Sequence, residues 1–252
     1  MTDKVAVITG ASRGLGRSMA IHLARRGVGV IGTYRSHEDE ATAVVAEIEG
    51  AGGRAAMLPL DVGQSAGFPA FVASVSALLA STFDRHDFDY LVNNAGIGGY
   101  APFAGTTEAQ FDELVRVQLK APLFLSQALL PTIADGGRIL NVSSGAAHYV
   151  VPGFAAYAAM KSGVEVLTRY MAKELGERRI RANVVVLGAI ETDFGGGAVR
   201  DNVHVNEAVA KMVALGRAGL PDDVGSAVAA ILSDDFGWVN GARIDVSGGQ
   251  NL

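Results

Sequence analysis

The stretch that decides the fold is Val5-Ala6-Val7-Ile8-Thr9-Gly10-Ala11-Ser12-Arg13-Gly14-Leu15-Gly16. It opens as an apolar run, the pattern of a strand covered on both faces. The glycines follow a G-x-x-x-G-x-G spacing, and Gly14–Arg26 then reads as a helix. The first glycine lets the chain turn sharply, and the later ones let backbone and helix approach a pyrophosphate closely. The helix N-terminus offers unpaired N–H groups and a partial positive charge to phosphate. Glycines alone would mean little in a chain with 32 of them, since tight turns explain many. Their place between the first strand and the first helix makes this a dinucleotide-binding turn. Its candidate contacts are Gly10, Ser12, Arg13, Gly14, Leu15 and Gly16.

The alternation continues outward from this turn. Strands are expected at Val5–Thr9, Val28–Tyr34, Ala55–Leu60, Tyr90–Asn93, Arg138–Val142, Arg181–Leu187 and Arg243–Val246. Helical segments are expected at Gly14–Arg26, Glu38–Gly50, Ser65–Ala80, Thr107–Leu130, Phe154–Glu177 and Asp222–Leu232. Repeated strand–helix alternation implies one α/β domain over residues 1–252, a doubly wound parallel sheet of about seven strands with helices on both faces. Residues 191–219 break the alternation and contain Gly195-Gly196-Gly197. That segment reads as a substrate lid, with a mobile surface loop as the plain alternative.

Composition narrows the function classes. The chain has 252 residues, 49% hydrophobic and 19% charged, with a formal net charge of −5. This suffices for a large core and excludes intrinsic disorder. No basic run suggests a nucleic-acid partner. The absence of cysteine excludes disulfides, thiolate metal sites and a cysteine nucleophile. The run after Met1-Thr2-Asp3-Lys4 is too short for a signal-peptide core, and no apolar stretch is expected to reach membrane-spanning length. These features predict a soluble, cytoplasmic protein without membrane partner or metal.

The second strand ends Gly32-Thr33-Tyr34-Arg35-Ser36, with no acid before Glu38. A site preferring NAD usually places an acid there for the ribose 2′-hydroxyl. Arg35, helped by Arg13, is instead suited to pair the 2′-phosphate of NADP, so Tyr34, Arg35 and Ser36 are candidate cofactor contacts. The plain alternative is that either arginine is an ordinary solvated surface residue.

Tyr157-Ala158-Ala159-Met160-Lys161 sets a tyrosine and a lysine on one helical face. A tyrosine near its reference pKa of about 10 is a poor acid–base catalyst at neutral pH. A neighbouring ammonium and an oxidised nicotinamide would lower it. Taken alone, the pair is also what chance gives in many helices.

Together, Thr9–Gly16, Asn93-Asn94-Ala95-Gly96 and the Tyr157/Lys161 pair resemble the motifs of the short-chain dehydrogenase/reductase family, over nearly the whole chain. The resemblance implies a Rossmann-type fold and hydride transfer between nicotinamide C4 and a carbonyl carbon. It puts the family's serine, 13 residues before the tyrosine, on Ser144. By that analogy Tyr157 exchanges the proton, Ser144 orients the carbonyl, and Lys161 lowers the Tyr157 pKa and holds the nicotinamide ribose. Asp61 and Val62 match the adenine contacts, and Asn93, Ala95 and Gly96 line the cofactor's centre. Gly188, Ile190 and Thr192 match nicotinamide contacts.

Two positions depart from the pattern. At the family's fourth catalytic position, an asparagine that helps hold a proton-relay water, this chain has Gln118, one methylene longer, so a shifted or lost water and a reduced or altered relay, not inactivity, are expected. Where the family has Pro-Gly it has Leu187-Gly188, so a slightly looser turn is expected.

His148, Tyr149 and Phe154 lie where the family builds its substrate pocket. Asp222-Asp223 after Pro221 read as helix capping, and Asp234-Asp235 as a solvated turn. Ser144 lacks the G-x-S-x-G context of a hydrolase nucleophile. The leading expectation is an NADPH-dependent carbonyl reductase, reversible as an alcohol dehydrogenase. Within the family the chain looks most like 3-oxoacyl-[acyl-carrier-protein] reductases. Arg178 could meet an acidic carrier, but Asp135 occupies a comparable rim position just before the fifth strand, which favours a small ketone, diketone or ketoester. The alternative of another class is a non-catalytic NADP(H)-sensing protein, for which only Gln118 speaks. The family implies a homotetramer, or else a homodimer, with the tyrosine helix at one interface and the C-terminus at another; the apolar face Val164, Leu167, Met171 and Leu175 is consistent with such an interface and would serve equally as core.

Overall fold

The computed structural model describes residues 4–252, so the reading placed on Met1-Thr2-Asp3 lies outside it. Among the described residues seven strands form one sheet: β1 Val5–Ile8, β2 Gly29–Tyr34, β3 Ala55–Pro59, β4 Phe88–Asn93, β5 Ile133–Ser144, β6 Arg181–Leu187 and β7 Arg243–Val246. Their order is β3-β2-β1-β4-β5-β6-β7 and every pairing is parallel. The order reverses between β1 and β4, and a doubly wound sheet binds its ligand outside the carboxyl ends of the strands at such a reversal.

The helices are α1 Gly14–Arg25, α2 Glu38–Gly50, α3 Phe68–Phe83, α4 Glu108–Leu114, α5 Ala121–Leu129, α6 Ala155–Glu174, α7 Ala198–Asp201, α8 Val203–Met212 and α9 Pro221–Ile231. They bury two cores, one on each face of the sheet. One gathers Ala6, Ile8 and Val30 with Met19 and Leu23 of α1 and Val224 and Val228 of α9. The other gathers Val5, Val7 and Leu91 with Val75 and Leu79 of α3 and Leu125 and Leu129 of α5. Side chains alternate between faces along each strand, so both registers of β1 are apolar.

Several expectations need correcting. Residues 65–83 do have the length and apolarity of a membrane span, because alanines and hydroxyl residues replace charge on the outer side of α3. Its Phe68, Phe71, Val75, Leu79 and Phe83 nevertheless pack into the second core. The single helix expected over 107–130 is divided. Thr107 caps α4, with its hydroxyl accepting from the Gln110 N–H at 3.3 Å. A π-helical turn, Val115–Lys120, then leads into α5. Pro122 has no N–H for the carbonyl four residues back, that of Gln118, and the helix widens there. The segment 191–219 is not irregular throughout, because it contains α7 and α8. Asn202 starts α8, its Oδ1 accepting from the N–H groups of His204 at 3.0 Å and Val205 at 3.2 Å.

The proposed interface face of α6 is intramolecular. Val164 and Met171 are buried, and Leu167 and Leu175 pack against the second core. The C-terminus likewise folds back, with Gln250 buried and its Oε1 accepting from the Ala189 N–H at 2.8 Å. This tie holds the turn that lacks the family's proline. Of the two acids after Pro221, only Asp223 caps, accepting from the Leu220 N–H at 2.8 Å. Asp222 instead accepts from the Ser18 hydroxyl of α1 at 2.7 Å. Asp234 is in the expected exposed turn but is also ion-paired, with Lys4 and Arg138 each at 2.7 Å.

Candidate active site

At the carboxyl end of β1 the chain takes a left-handed turn at Gly10 (φ 67°), and Gly14 (φ 52°) opens α1 in the same region. A Cβ on Gly16 would run into the Gly10 carbonyl oxygen and Asn94 Nδ2, so helix and turn touch where only glycine fits. Thr9 Oγ1 accepts from the N–H groups of Asn94 at 3.0 Å and Ala95 at 2.9 Å. Asn94 Nδ2 in turn donates to Thr9 O at 2.9 Å and Gly10 O at 3.1 Å. The turn after β4 is thereby tied to the glycine turn after β1.

This assigns the two asparagines different places. Asn93 is buried and points inward, its Nδ2 donating to Ser126 Oγ at 3.0 Å and Asn141 Oδ1 at 2.8 Å. Asn94 was quoted in the motif but not counted as a site residue, and it is the one that holds the glycine turn.

Beside this cradle, Tyr34 ends β2, and the exposed Arg35 and Ser36 follow it. The Tyr34 hydroxyl is raised above its ordinary pKa, first by desolvation and then by its hydrogen bond to Glu38. Asp61 accepts from the Gly63 N–H at 2.9 Å, and Val62 is buried against Val117. Arg13 lies 4.0 Å from Asp193. The glycine cradle, the free first turn of α1 and the two arginines fit a dinucleotide carrying a 2′-phosphate.

The end of β5 and the first turns of α6 meet next to it. The Ser144 hydroxyl accepts from the Ala146 N–H at 3.3 Å and lies near enough to the Tyr157 hydroxyl to act on its pKa. Lys161 Nζ lies 5.6 Å from the Tyr157 ring centroid and donates to Val142 O at 2.9 Å. Tyr157 and Lys161 are 7% and 6% exposed, which makes desolvation the dominant influence on both. Burial pushes the Tyr157 phenol well above its usual range, with Ser144 opposing it. Burial lowers the Lys161 ammonium to about 8. The expected lowering of Tyr157 by Lys161 is therefore not what the protein alone produces.

Gln118 is buried on the π-helical turn, and its Nε2 donates to Ile97 O. Its Oε1 is buried without a hydrogen-bond partner among the described residues. A Cβ on Gly96 would lie 3.1 Å from both polar atoms of that amide, so the glycine makes room for the longer side chain.

Past β6, Gly188 packs against Ser247 and Gln250. Ile190 pairs with Gly219. Thr192 is buried, its methyl 3.7 Å from where a Cβ on Gly14 would be and its Oγ1 accepting from the Phe194 N–H at 3.2 Å.

Of the three pocket candidates, Phe154 alone stands against Tyr157, with ring centroids 6.0 Å apart. His148 Nε2 meets both Glu165 carboxylate oxygens at 2.9 Å, and Ser143 donates to the same carboxylate at 2.6 Å. Tyr149 packs on Gly145, its hydroxyl raised above its ordinary value first by burial and then by Asp245. These two side chains brace the segment between Ser144 and Tyr157. Arg178 and Asp135 are also misplaced by the sequence reading. They pair at 2.8 Å at the amino ends of β6 and β5, the opposite end of the strands from Ser144. Phe194 went unnoticed in the sequence, and its ring lies 5.8 Å from that of Tyr157. A lone aromatic directly before three glycines was the available signal.

The family model described as Enoyl-(Acyl carrier protein) reductase matches residues 10–251. The reductase LugOII, which catalyses keto-reduction at C1 during lugdunomycin biosynthesis, superposes with a TM-score of 0.94 at 37% identity, covering 99% of this chain and 98% of that one. The angucycline C-6 ketoreductase LanV, solved with bound NADP, also gives 0.94, at 34% identity over 100% of this chain and 96% of its own. A hydroxynaphthalene reductase-like protein, Arp2 of Metarhizium brunneum, is 33% identical over 263 residues, 99% of this chain and 96% of that one.

Proposed function

The chain belongs to the short-chain dehydrogenase/reductase family, and from that premise we propose that it is an NADPH-dependent ketoreductase acting on a free small-molecule ketone, diketone or ketoester. The observation that carries this reading is the buried Tyr157 with Lys161 Nζ 5.6 Å from its ring and Ser144 at the end of β5 beside it, at the same end of the sheet as the glycine cradle. When bound, NADPH supplies hydride from its nicotinamide to the carbonyl carbon. Tyr157, kept protonated by burial, donates to the carbonyl oxygen. Ser144 fixes that oxygen, and Lys161 supports the phenolate left behind. Gln118 braces the turn after β4 through Ile97 O. Arg35 and Arg13 hold the 2′-phosphate, with Gly10, Ser12, Gly14, Leu15 and Gly16 around the pyrophosphate. Thr192, Ile190 and Gly188 border the nicotinamide.

The segment 191–219 covers the site in this reading. Its Phe194 reaches Tyr157, and its Asp193 approaches Arg13. An assembly of several copies draws support from the exposed apolar residues Leu123, Phe124, Val166 and Tyr170 on α5 and α6, in place of the face first named.

The test starts with cofactor. Titration of bound-nicotinamide fluorescence is expected to give NADPH at least about tenfold tighter binding than NADH, or about 1.4 kcal/mol, with the preference lost in Arg35→Ala. Tyr157→Phe then abolishes ketone-dependent NADPH oxidation while NADPH still binds. Retained turnover in Tyr157→Phe sinks the mechanism, and equal binding of both cofactors sinks the 2′-phosphate assignment.

A further inference from the structure

The approach to the Tyr157 hydroxyl is built from rings and bare backbone. Tyr100 follows β4, Phe154 precedes α6, and Phe194 follows β6. Their centroids form a chain, with Tyr100 to Phe154 at 5.8 Å, Phe154 to Tyr157 at 6.0 Å and Tyr157 to Phe194 at 5.8 Å. The interplanar angles of 68°, 77° and 56° show edges turned toward faces, not a closed stack. Tyr157 is 7% exposed, yet Tyr100 is 69% and Phe194 43% exposed. Large apolar rings are thus presented to solvent around one buried reactive hydroxyl.

Glycines pack close against these rings and against Leu114. A Cβ on Gly98 would sit 3.5 Å from the Phe194 ring. One on Gly153 would overlap the Tyr100 ring, and one on Gly99 would lie 2.8 Å from Leu114. Side chains at 99 and 153 would collide with Leu114 and Tyr100, so glycine lets the backbone pack directly against these residues.

Phe194 is held in place by its neighbours. Its N–H bonds Thr192 Oγ1 at 3.2 Å, and the adjoining Asp193 accepts from Arg200 at 2.5 Å. Gly195, Gly196 and Gly197 follow at φ 64°, 74° and 76°, a left-handed run that only glycine adopts without strain. The chain therefore turns away immediately after delivering the ring. The charged groups of this segment, Asp193, Arg200 and Asp201, bond one another.

A surface of ring faces and edges favours a flat π-system, because aromatic pairs gain from offset or edge-to-face contact beyond area burial. It gives nothing to a charged carrier arm. Resting on the ketoreductase reading, we propose that Tyr100, Phe154 and Phe194 form a slot that selects a ring-fused aryl ketone, and that Phe194 is the residue that distinguishes such a ketone from an open-chain one.

The test compares 1-indanone, a flat fused aryl ketone, with open-chain ethyl acetoacetate, reading NADPH oxidation. Wild type is expected to favour 1-indanone in kcat/KM. Phe194→Leu keeps apolar bulk but removes the ring, and is expected to lower the 1-indanone to acetoacetate ratio about tenfold, or about 1.4 kcal/mol. The loss should fall mainly on the KM for 1-indanone, and Phe194→Tyr should restore the ratio. A wild-type preference for acetoacetate, or an unchanged ratio in Phe194→Leu, overturns the slot while leaving the ketoreductase standing. Turnover of neither ketone counts against the ketoreductase reading instead. In that case quenching of bound-NADPH fluorescence by 9-fluorenone reads the slot directly. Equal quenching constants in wild type and Phe194→Leu overturn it.

Discussion

Lys161→Met should make the protein more stable at neutral pH while removing a residue the reaction needs. Lys161 is 6% exposed, and its polar contact in the fold is the donation to Val142 O at 2.9 Å. Burial brings its ammonium from 10.5 down to about 8. At about 1.4 kcal/mol per unit this means that holding the charge in the folded state costs about 3 kcal/mol at low pH. The unfolded chain keeps the proton up to its ordinary value, whereas the folded chain releases it near 8. Between those limits the unfolded state binds more protons, so wild-type stability rises with pH through that window. Below about pH 7 the cost is present in full, and at about pH 9.5 it has shrunk to about 1 kcal/mol. Methionine keeps an unbranched stem without the charge. It forfeits the donor to Val142 O, worth about 1 kcal/mol.

The variant should therefore exceed wild type by about 2 kcal/mol at about pH 7 and be nearly equal to it at about pH 9.5. Urea unfolding of both proteins at the two pH values measures this, and titration of all other groups cancels in the difference. A stability difference that is the same at both pH values refutes the reasoning, because it would mean that Lys161 carries no buried charge at neutral pH.

The same lysine predicts a limb in catalysis. Reduction with saturating NADPH should have kcat/KM constant below about pH 7 and falling about tenfold per pH unit above about 8, since only the ammonium form of Lys161 supports a Tyr157 phenolate. Tyr157, pushed above its ordinary value, sets no limb in that range, and a profile flat to about pH 9.5 would remove Lys161 from this role. Gly16→Ala places a methyl against the Gly10 carbonyl oxygen and Asn94 Nδ2. It should lower stability by about 1–3 kcal/mol and weaken NADPH binding at least tenfold, in melts and fluorescence titration respectively, and unchanged NADPH affinity would mean that the cradle is misassigned.

What was legible in the sequence was whatever a local pattern carries. The strands of this sheet are covered on both faces, so β1, β2 and β6 read as continuous apolar runs. The glycine turn is legible because its conformation excludes other residues, and Tyr157 with Lys161 because a helix fixes the offset. What stayed hidden depends on partners far along the chain. His148 looked like a pocket residue until α6 brought Glu165 to it, and Arg178 like a docking residue until β5 brought Asp135. The first residues of β5, Ile133-Ala134-Asp135-Gly136-Gly137, read as a loop, yet Ile133 pairs with Phe88 of β4.

Gln118 shows how the two kinds of information combine. The sequence presents it as a lengthened asparagine, which by itself predicts a misplaced amide. Pro122, four residues on, cannot donate to the Gln118 carbonyl, and the resulting wide turn changes where the side chain starts. Gly96, without a Cβ, leaves the space where it ends. The longer residue, the proline and the glycine together deliver an amide N–H to Ile97 O. None of the three is informative alone. The substitution at 118 thus reads as one part of a rebuilt brace of the turn after β4, whose Ile97 packs against the apolar cluster that contains Tyr157.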